Sequence, residues 1–193
     1  MAPKRGLREL KKARTRSAIQ REALRLFHER GYDATTVEQV AEAAEVAHTT
    51  VFRYFPTKED LVISDEDDPV FFELLRTRPP ELTPIQTLRA AIRDLLGGLS
   101  PDDLAAGRER TLLILSVPAL RGAAFGNYVE TMRTVTAILA ERSGRGPDDV
   151  AVRTLTGAAF GIMLDIMLRW GDDPSLDLPQ TVDEALATLD PAS

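Results

Sequence analysis

Apolar residues recur at spacings of three and four along almost the whole chain, and no stretch alternates in the manner of a half-buried strand. That period allows helices and little else, so the expected fold is all-α. Ile19, Ala23, Leu26 and Phe27 share one face of a first helix beginning near Leu7, and Gly31 stops it in the usual C-terminal position. Thr35 or Thr36 caps a short second helix, with Glu38 and Gln39 supplying the capping box and Val37, Val40, Ala41 and Ala44 the buried side. A third runs from about Ala47 to Phe55 and ends at Pro56, after which Thr57-Lys58-Glu59-Asp60 opens a fourth, over 57–64. Breaks at Pro79-Pro80, Ser100-Pro101, Pro118, Gly144 to Pro147 and Gly171 to Pro174 divide the rest, giving about nine or ten helices in all.

The charge is divided unevenly along those helices. Residues 1–58 hold 12 basic and 7 acidic side chains, net +5, while 59–193 hold 12 basic and 23 acidic, net −11. A basic head on an acidic body points to a polyanion that touches only the head. Lys4, Arg5, Arg8, Lys11, Lys12, Arg14 and Arg16 form a basic N-terminal arm, placed to follow phosphates or enter a minor groove.

The first three helices match a helix-turn-helix unit, with a tight turn at Glu45-Val46. Val37, Val40, Ala41, Val46, Val51 and Phe55 lock the second helix on the third, and the small Ala41 and Ala44 let the backbones approach. His48, Thr49, Thr50 and Arg53 are left on the outer side of the third helix, where they suit base edges in a major groove.

Gly31-Tyr32-Asp33-Ala34-Thr35-Thr36-Val37, then Val40-Ala41-Glu42, then Thr50-Val51-Phe52-Arg53-Tyr54-Phe55-Pro56-Thr57-Lys58-Glu59 resemble the tetracycline-repressor (TetR) family, over roughly residues 15–62. The resemblance implies a DNA-binding domain over 1–58 and a helical effector-binding and dimerisation domain over 59–193. It implies that Thr36 caps helix two against a phosphate, where the helix dipole favours an anion. It further implies that Lys58 and the Tyr54 hydroxyl meet the DNA backbone, and that His48, Thr49, Thr50 and Arg53, with Ala47 at the head of their helix, form the reading surface. Three residues depart from the family pattern: Glu45 for a frequent glycine, Ala47 for the usual serine cap, and Phe52 for a common tyrosine. A non-glycine residue held at positive φ costs roughly 1 kcal/mol, and losing the cap costs ~1 kcal/mol more.

The family's body binds a small-molecule effector and forms a twofold dimer. Phe72, Leu96, Leu112, Phe125, Tyr128 and Met163 are the expected pocket, aromatic and methionine-bearing as an apolar or acyl-like ligand requires. The stretch Val51–Pro69, with Asp65-Glu66-Asp67-Asp68, also resembles an actinobacterial-type subgroup with an acyl-coenzyme-A-like ligand. A helix over 149–170 has a large face, Val152, Leu155, Ala159, Met163, Ile166 and Trp170, and a small one, Val150, Thr154, Gly157, Gly161 and Asp165. The large face is expected to pack within the subunit and the small face on a partner's helix, together with a helix over 178–189. Asp165 also has Arg169 one turn on.

These features set the function expected: a regulator, most simply a repressor, that binds a near-palindromic double-stranded operator as a homodimer and is released by an effector of unknown identity. The alternative is a helical dimeric adaptor, or a DNA-binding protein with no effector. No enzyme is expected, because no nucleophile, general base or metal cluster can be assembled and no glycine-rich phosphate loop occurs. No cofactor or metal is expected either: cysteine is absent, and His28 and His48 stand in different segments. The longest apolar run, Leu155–Leu168, has 14 residues and contains Asp165, short of the ~18 to 20 that cross a bilayer. With no signal-peptide core at the N-terminus, a cytoplasmic, nucleoid-associated location follows.

Overall fold

The computed structural model describes residues 7–64 and 68–190, and these form ten α-helices and no strand. In chain order they are α1 (Leu7–Arg30), α2 (Val37–Ala43), α3 (His48–Tyr54), α4 (Asp60–Ile63), α5 (Asp68–Thr77), α6 (Pro84–Gly97), α7 (Pro101–Ser116), α8 (Pro118–Arg142), α9 (Val150–Asp172) and α10 (Leu178–Ala187). The chain divides into two compact units: Met1–Ser64 with Ile114–Ala123, and Asp65–Leu113 with Ala124–Ser193.

In the first unit the expected stripe is the core. Ile19, Ala23, Leu26 and Phe27 of α1 are buried with Val40, Ala41, Val51 and Phe55. Gly31, at φ 87°, turns the chain out of α1 while its N–H still reaches the Phe27 carbonyl at 3.0 Å. Thr35 is buried and donates its hydroxyl to the carbonyls of Gly31 and Leu26, so Thr36 alone caps α2. The fourth helix is shorter than expected. Thr57 and Asp60 exchange side chain-to-backbone bonds of 2.9 and 3.2 Å, closing the turn that leads into α4, whose regular helix begins at Asp60.

The second unit is built around Leu75, Leu88, Leu139, Val152, Ile166 and Leu186, from α5, α6, α8, α9 and α10. Thr83 and Gln86 form a capping box that starts α6, with Pro84 in the first turn. Asp149 caps α9, its carboxylate accepting the Val152 N–H at 3.1 Å, and that bond holds its carboxyl below the usual range. At the other end of α9, Arg108 donates to the carbonyls of Trp170 and Gly171 at 3.0 and 2.6 Å, supplying cationic donors where a helix leaves carbonyls unpaired. Arg142 treats the end of α5 alike, donating to the carbonyls of Arg76, Arg78 and Pro79.

The run-length reading of α9 needs correction. Among the described residues, this 23-residue helix is long and apolar enough to cross a membrane, its best window having a mean hydropathy of 1.5 with 28 % of it buried. A run count ends at Arg153-Thr154 on one side and Arg169 on the other, whereas an average along the helix tolerates isolated charges. The helix nevertheless has a core side, with Val152, Ala159, Ile166 and Trp170 buried. The last helix ends at Ala187 rather than 189.

Candidate nucleic-acid interface

The turn between α2 and α3 sets the geometry of the head. Val46 N–H reaches the Ala41 carbonyl at 3.0 Å and Glu45 N–H the Glu42 carbonyl at 3.1 Å, the paired closure of a Schellman motif. It requires a left-handed residue just past the helix, and Glu45 takes that role at φ 53°. Backbone hydrogen bonding therefore maintains the turn without the glycine. Ala47 is extended, at φ −66° and ψ 140°, and makes no side-chain cap; α3 starts on packing alone, with Val51 fully buried beneath it.

That seat turns His48, Thr49, Phe52 and Arg53 outward, with Thr50 and Tyr54 half-buried. Thr49 and Arg53, one turn apart, share a face. The Arg53 guanidinium lies 5.3 Å from the centre of the Tyr54 ring. His48 faces back across the turn: its Nε2 is 3.5 Å from Glu38 Oε1, and its ring meets Phe52 edge-on at 4.8 Å.

Two of the expected phosphate contacts are already engaged. Thr36 accepts the Gln39 N–H at 3.3 Å and returns its own N–H to the Gln39 side chain at 2.9 Å. Its hydroxyl also faces Glu38, whose carboxyl is held low first by its own backbone N–H, then by Thr36 and by His48. Lys58 donates to the Tyr32 carbonyl at 2.6 Å, leaving two ammonium protons for another acceptor. Tyr32 in turn donates to Glu59 at 3.1 Å, and burial foremost, with Glu59 behind it, raises its ionisation above the ordinary tyrosine range.

Lys4, Arg5 and the Arg8 side chain lie outside the described residues, as do Asp65, Glu66 and Asp67. Lys11, Lys12, Arg14 and Arg16 belong to α1 itself, and Arg16 lies 4.8 Å over the Phe55 ring. Sequence reasoning missed the Glu38–His48 and Tyr32–Lys58 relationships. Each joins residues far outside one helical period, so no spacing announces it.

In the second unit Phe72, Leu96 and Met163 pack half-buried against the core. Tyr128 donates to the Phe160 carbonyl and sets its ring edge-on to Phe160 at 4.9 Å, and burial pushes its hydroxyl up to about 12. Leu112 and Phe125 are exposed, at 37 and 68 %. A shallow surface depression, too small for a metabolite, lies elsewhere, between Arg89, Ile92 and Arg93 of α6 and Val182, Asp183 and Leu186 of α10. None of the six expected pocket residues lines it. Val150, Thr154, Gly157, Gly161 and Asp165 are all exposed, and Asp165 lies 3.7 Å from Arg169. Leu164 and Leu168, exposed at 48 and 43 %, extend that outward stripe.

Residues 19–64, this helix-turn-helix and its seat, match the model of bacterial regulatory proteins of the tetR family, and residues 82–192 match that of the MftR C-terminal domain. The chain belongs to the TetR family. It is 36 % identical over 151 residues to the HTH-type transcriptional regulator TcmR of Streptomyces glaucescens, covering 75 % of this chain and 67 % of that one. Among solved structures, it resembles the regulator FadR of Bacillus subtilis in complex with stearoyl-CoA, at a TM-score of 0.60 and 26 % identity, over 90 % of this chain and 96 % of the other. The Thermus thermophilus repressor FadR in complex with lauroyl-CoA is similar at 0.57 and 25 %, over 90 and 92 % of the two chains. This TetR-family chain is therefore a transcriptional regulator, and its relatives named here are regulators rather than enzymes.

Proposed function

We propose that the protein is a repressor that grips a near-palindromic operator as a twofold dimer and lets go when an apolar or acyl-coenzyme-A-like metabolite enters its body. The observation that carries the reading is the outward face of α3, where His48, Thr49 and Arg53 are exposed beyond a closed Schellman turn. Residues 1–58 are the DNA-binding domain, with Ala47 opening the reading helix, Thr50 flanking it, and Thr36, Tyr54 and Lys58 on the phosphates. Residues 59–193 bind the effector and the second subunit. Such a protein works at the nucleoid, in the cytoplasm.

Support for the dimer comes from the spacing on α9. Val150, Thr154, Gly157, Gly161, Leu164 and Leu168 recur at alternate intervals of four and three and all face outward, the seam along which two helices interlock. Asp165 flanks that seam. Support for the effector comes from the acyl-CoA complexes of the two similar regulators and from α7, which has no buried residue while Leu112 stands exposed on it. Phe72, Leu96, Leu112, Phe125, Tyr128 and Met163 then close around the ligand.

Genomic fragments selected on the protein at near-physiological salt, followed by titration with long-chain acyl-CoAs, test both halves. Enrichment of a near-palindrome whose binding stearoyl-CoA abolishes is the expected result. Arg53→Ala should relax preference at one base position, by ~1 to 3 kcal/mol. Thermodynamic linkage requires operator to weaken acyl-CoA binding by the factor with which acyl-CoA weakens operator binding. Equal acyl-CoA affinity with and without operator would leave a DNA-binding dimer with no such switch.

A further inference from the structure

We propose that Glu38 is a specificity-determining positioning residue that faces His48 Nε2 and makes the base preference of α3 depend on the protonation of Nδ1. The inference rests on the reading of α3 as the helix that enters the major groove.

His48 stands at the first position of α3 and Glu38 in the first turn of α2, so the pair spans the helix-turn-helix. Nε2 lies 3.5 Å from Glu38 Oε1, and the Phe52 ring, 4.8 Å away and inclined by 74°, supports the imidazole from its own helix. A carboxylate at that distance favours N–H on Nε2 and repels a bare lone pair there. In the neutral ring this biases the single proton toward Nε2 and leaves Nδ1 an acceptor; in the imidazolium both nitrogens donate. Nδ1 has no hydrogen-bond partner among the described residues, and the side chain is half exposed.

The two states of Nδ1 read different bases. As an acceptor it suits the amino group of adenine or cytosine; as a donor it suits guanine, which offers two acceptors in the major groove. Glu38 is the charged group at ion-pair distance from His48 among the described residues, and on α3 itself Arg53 is turned over the Tyr54 ring. The preferred half-site should therefore differ between the two states of the ring.

The test uses the full chain and a randomised duplex library, selected at about pH 5.5 and about pH 8 at one ionic strength, on either side of the ordinary histidine range. In the wild type, one position of each half-site should move from guanine at low pH to adenine or cytosine at high pH, by roughly 3- to 10-fold in relative enrichment. Glu38→Gln should shrink that swing, since an amide can meet Nε2 with or without its proton. His48→Gln should abolish it, while the other positions stay as they are. Wild-type preferences identical at both pH values overturn the proposal, and so does a Glu38→Gln variant that keeps the full swing. A sequence-specific but pH-indifferent protein sinks this inference alone. A library with no enriched sequence at either pH sinks the reading of α3 and the inference together.

Discussion

Lys58 Nζ donates to the carbonyl oxygen of Tyr32 over 2.6 Å and sits 4.1 Å from the centre of the same residue's ring. One ammonium thereby pins the loop after α1 to the entry of α4, with Glu59 closing the knot from the Tyr32 hydroxyl. The side chain that the family resemblance assigns to a phosphate is first an internal strut of the head.

Lys58→Met, which keeps the stem and removes the charge, should therefore act twice. Stability should fall by about 1 kcal/mol, the scale of a partly exposed charged hydrogen bond. DNA affinity should fall equally for operator and random duplex, with the salt slope smaller by about one. A melting curve and two salt titrations check this; weaker binding with an unchanged slope would mean that only the strut is lost.

Alkaline stability should depend on two tyrosines, the buried Tyr32 and the half-buried Tyr128. The folded state holds Tyr32 and Tyr128 neutral, with Tyr128 raised to about 12, while an unfolded tyrosine ionises near pH 10. A raised folded pKa contributes stability that is complete below the unfolded value and is lost as pH climbs through the folded one. Denaturation midpoints should thus decline from about pH 10 upward, by at most about 1.4 kcal/mol per pH unit for each tyrosine. Tyr128→Phe and Tyr32→Phe should each flatten the decline, and two phenylalanine variants as steep as the wild type would refute the assignment.

Glu45→Gly should stabilise the head. The left-handed turn would be relieved of roughly 1 kcal/mol of strain, partly offset by the greater freedom of glycine in the unfolded chain. Ala47→Ser adds the missing cap, worth ~0.5 to 2 kcal/mol. For a chain of this size each kcal/mol raises the melting temperature by roughly 2 to 4 °C. Calorimetry of the double variant showing no rise would mean the turn carries no such strain.

Gly161→Leu should separate the subunits while sparing each one. A Cβ at Gly157 or Gly161 meets nothing within 4 Å in the single chain, so the added side chain has room unless a partner helix fills it. Sedimentation should report a monomer with unchanged helicity and weakened operator binding. A variant that remains dimeric moves the interface off this face.

Much of this was legible in the sequence because helical periodicity and capping act locally. Ile19, Ala23, Leu26 and Phe27 announced the core of the head, and the Thr35-Thr36 pair with Glu38 and Gln39 announced a cap for α2, which the burial of Thr35 assigns to Thr36. The large face of α9 was readable from a residue-by-residue division, and Val152, Ala159, Ile166 and Trp170 are indeed buried. What was not legible joins distant segments. Lys58 with Tyr32, Arg108 with the end of α9, and Asp183 with Arg89 at 3.3 Å, 94 residues apart, obey no period. The Thr57–Asp60 pair is readable as a helix start, yet the residues between them form a turn and the regular helix begins only at Asp60.

Leu120 is fully buried, and it belongs to the unit that contains Met1–Ser64, although it arrives more than 50 residues later. The unit that carries the helix-turn-helix is thus woven from two separate lengths of chain. Shuffling between relatives cannot trade it as one contiguous cassette: a chimera joined at Ser64 inherits a foreign residue in the place of Leu120. The helix-turn-helix and the segment Ile114–Ala123 belong together in any recombinant that keeps this unit intact.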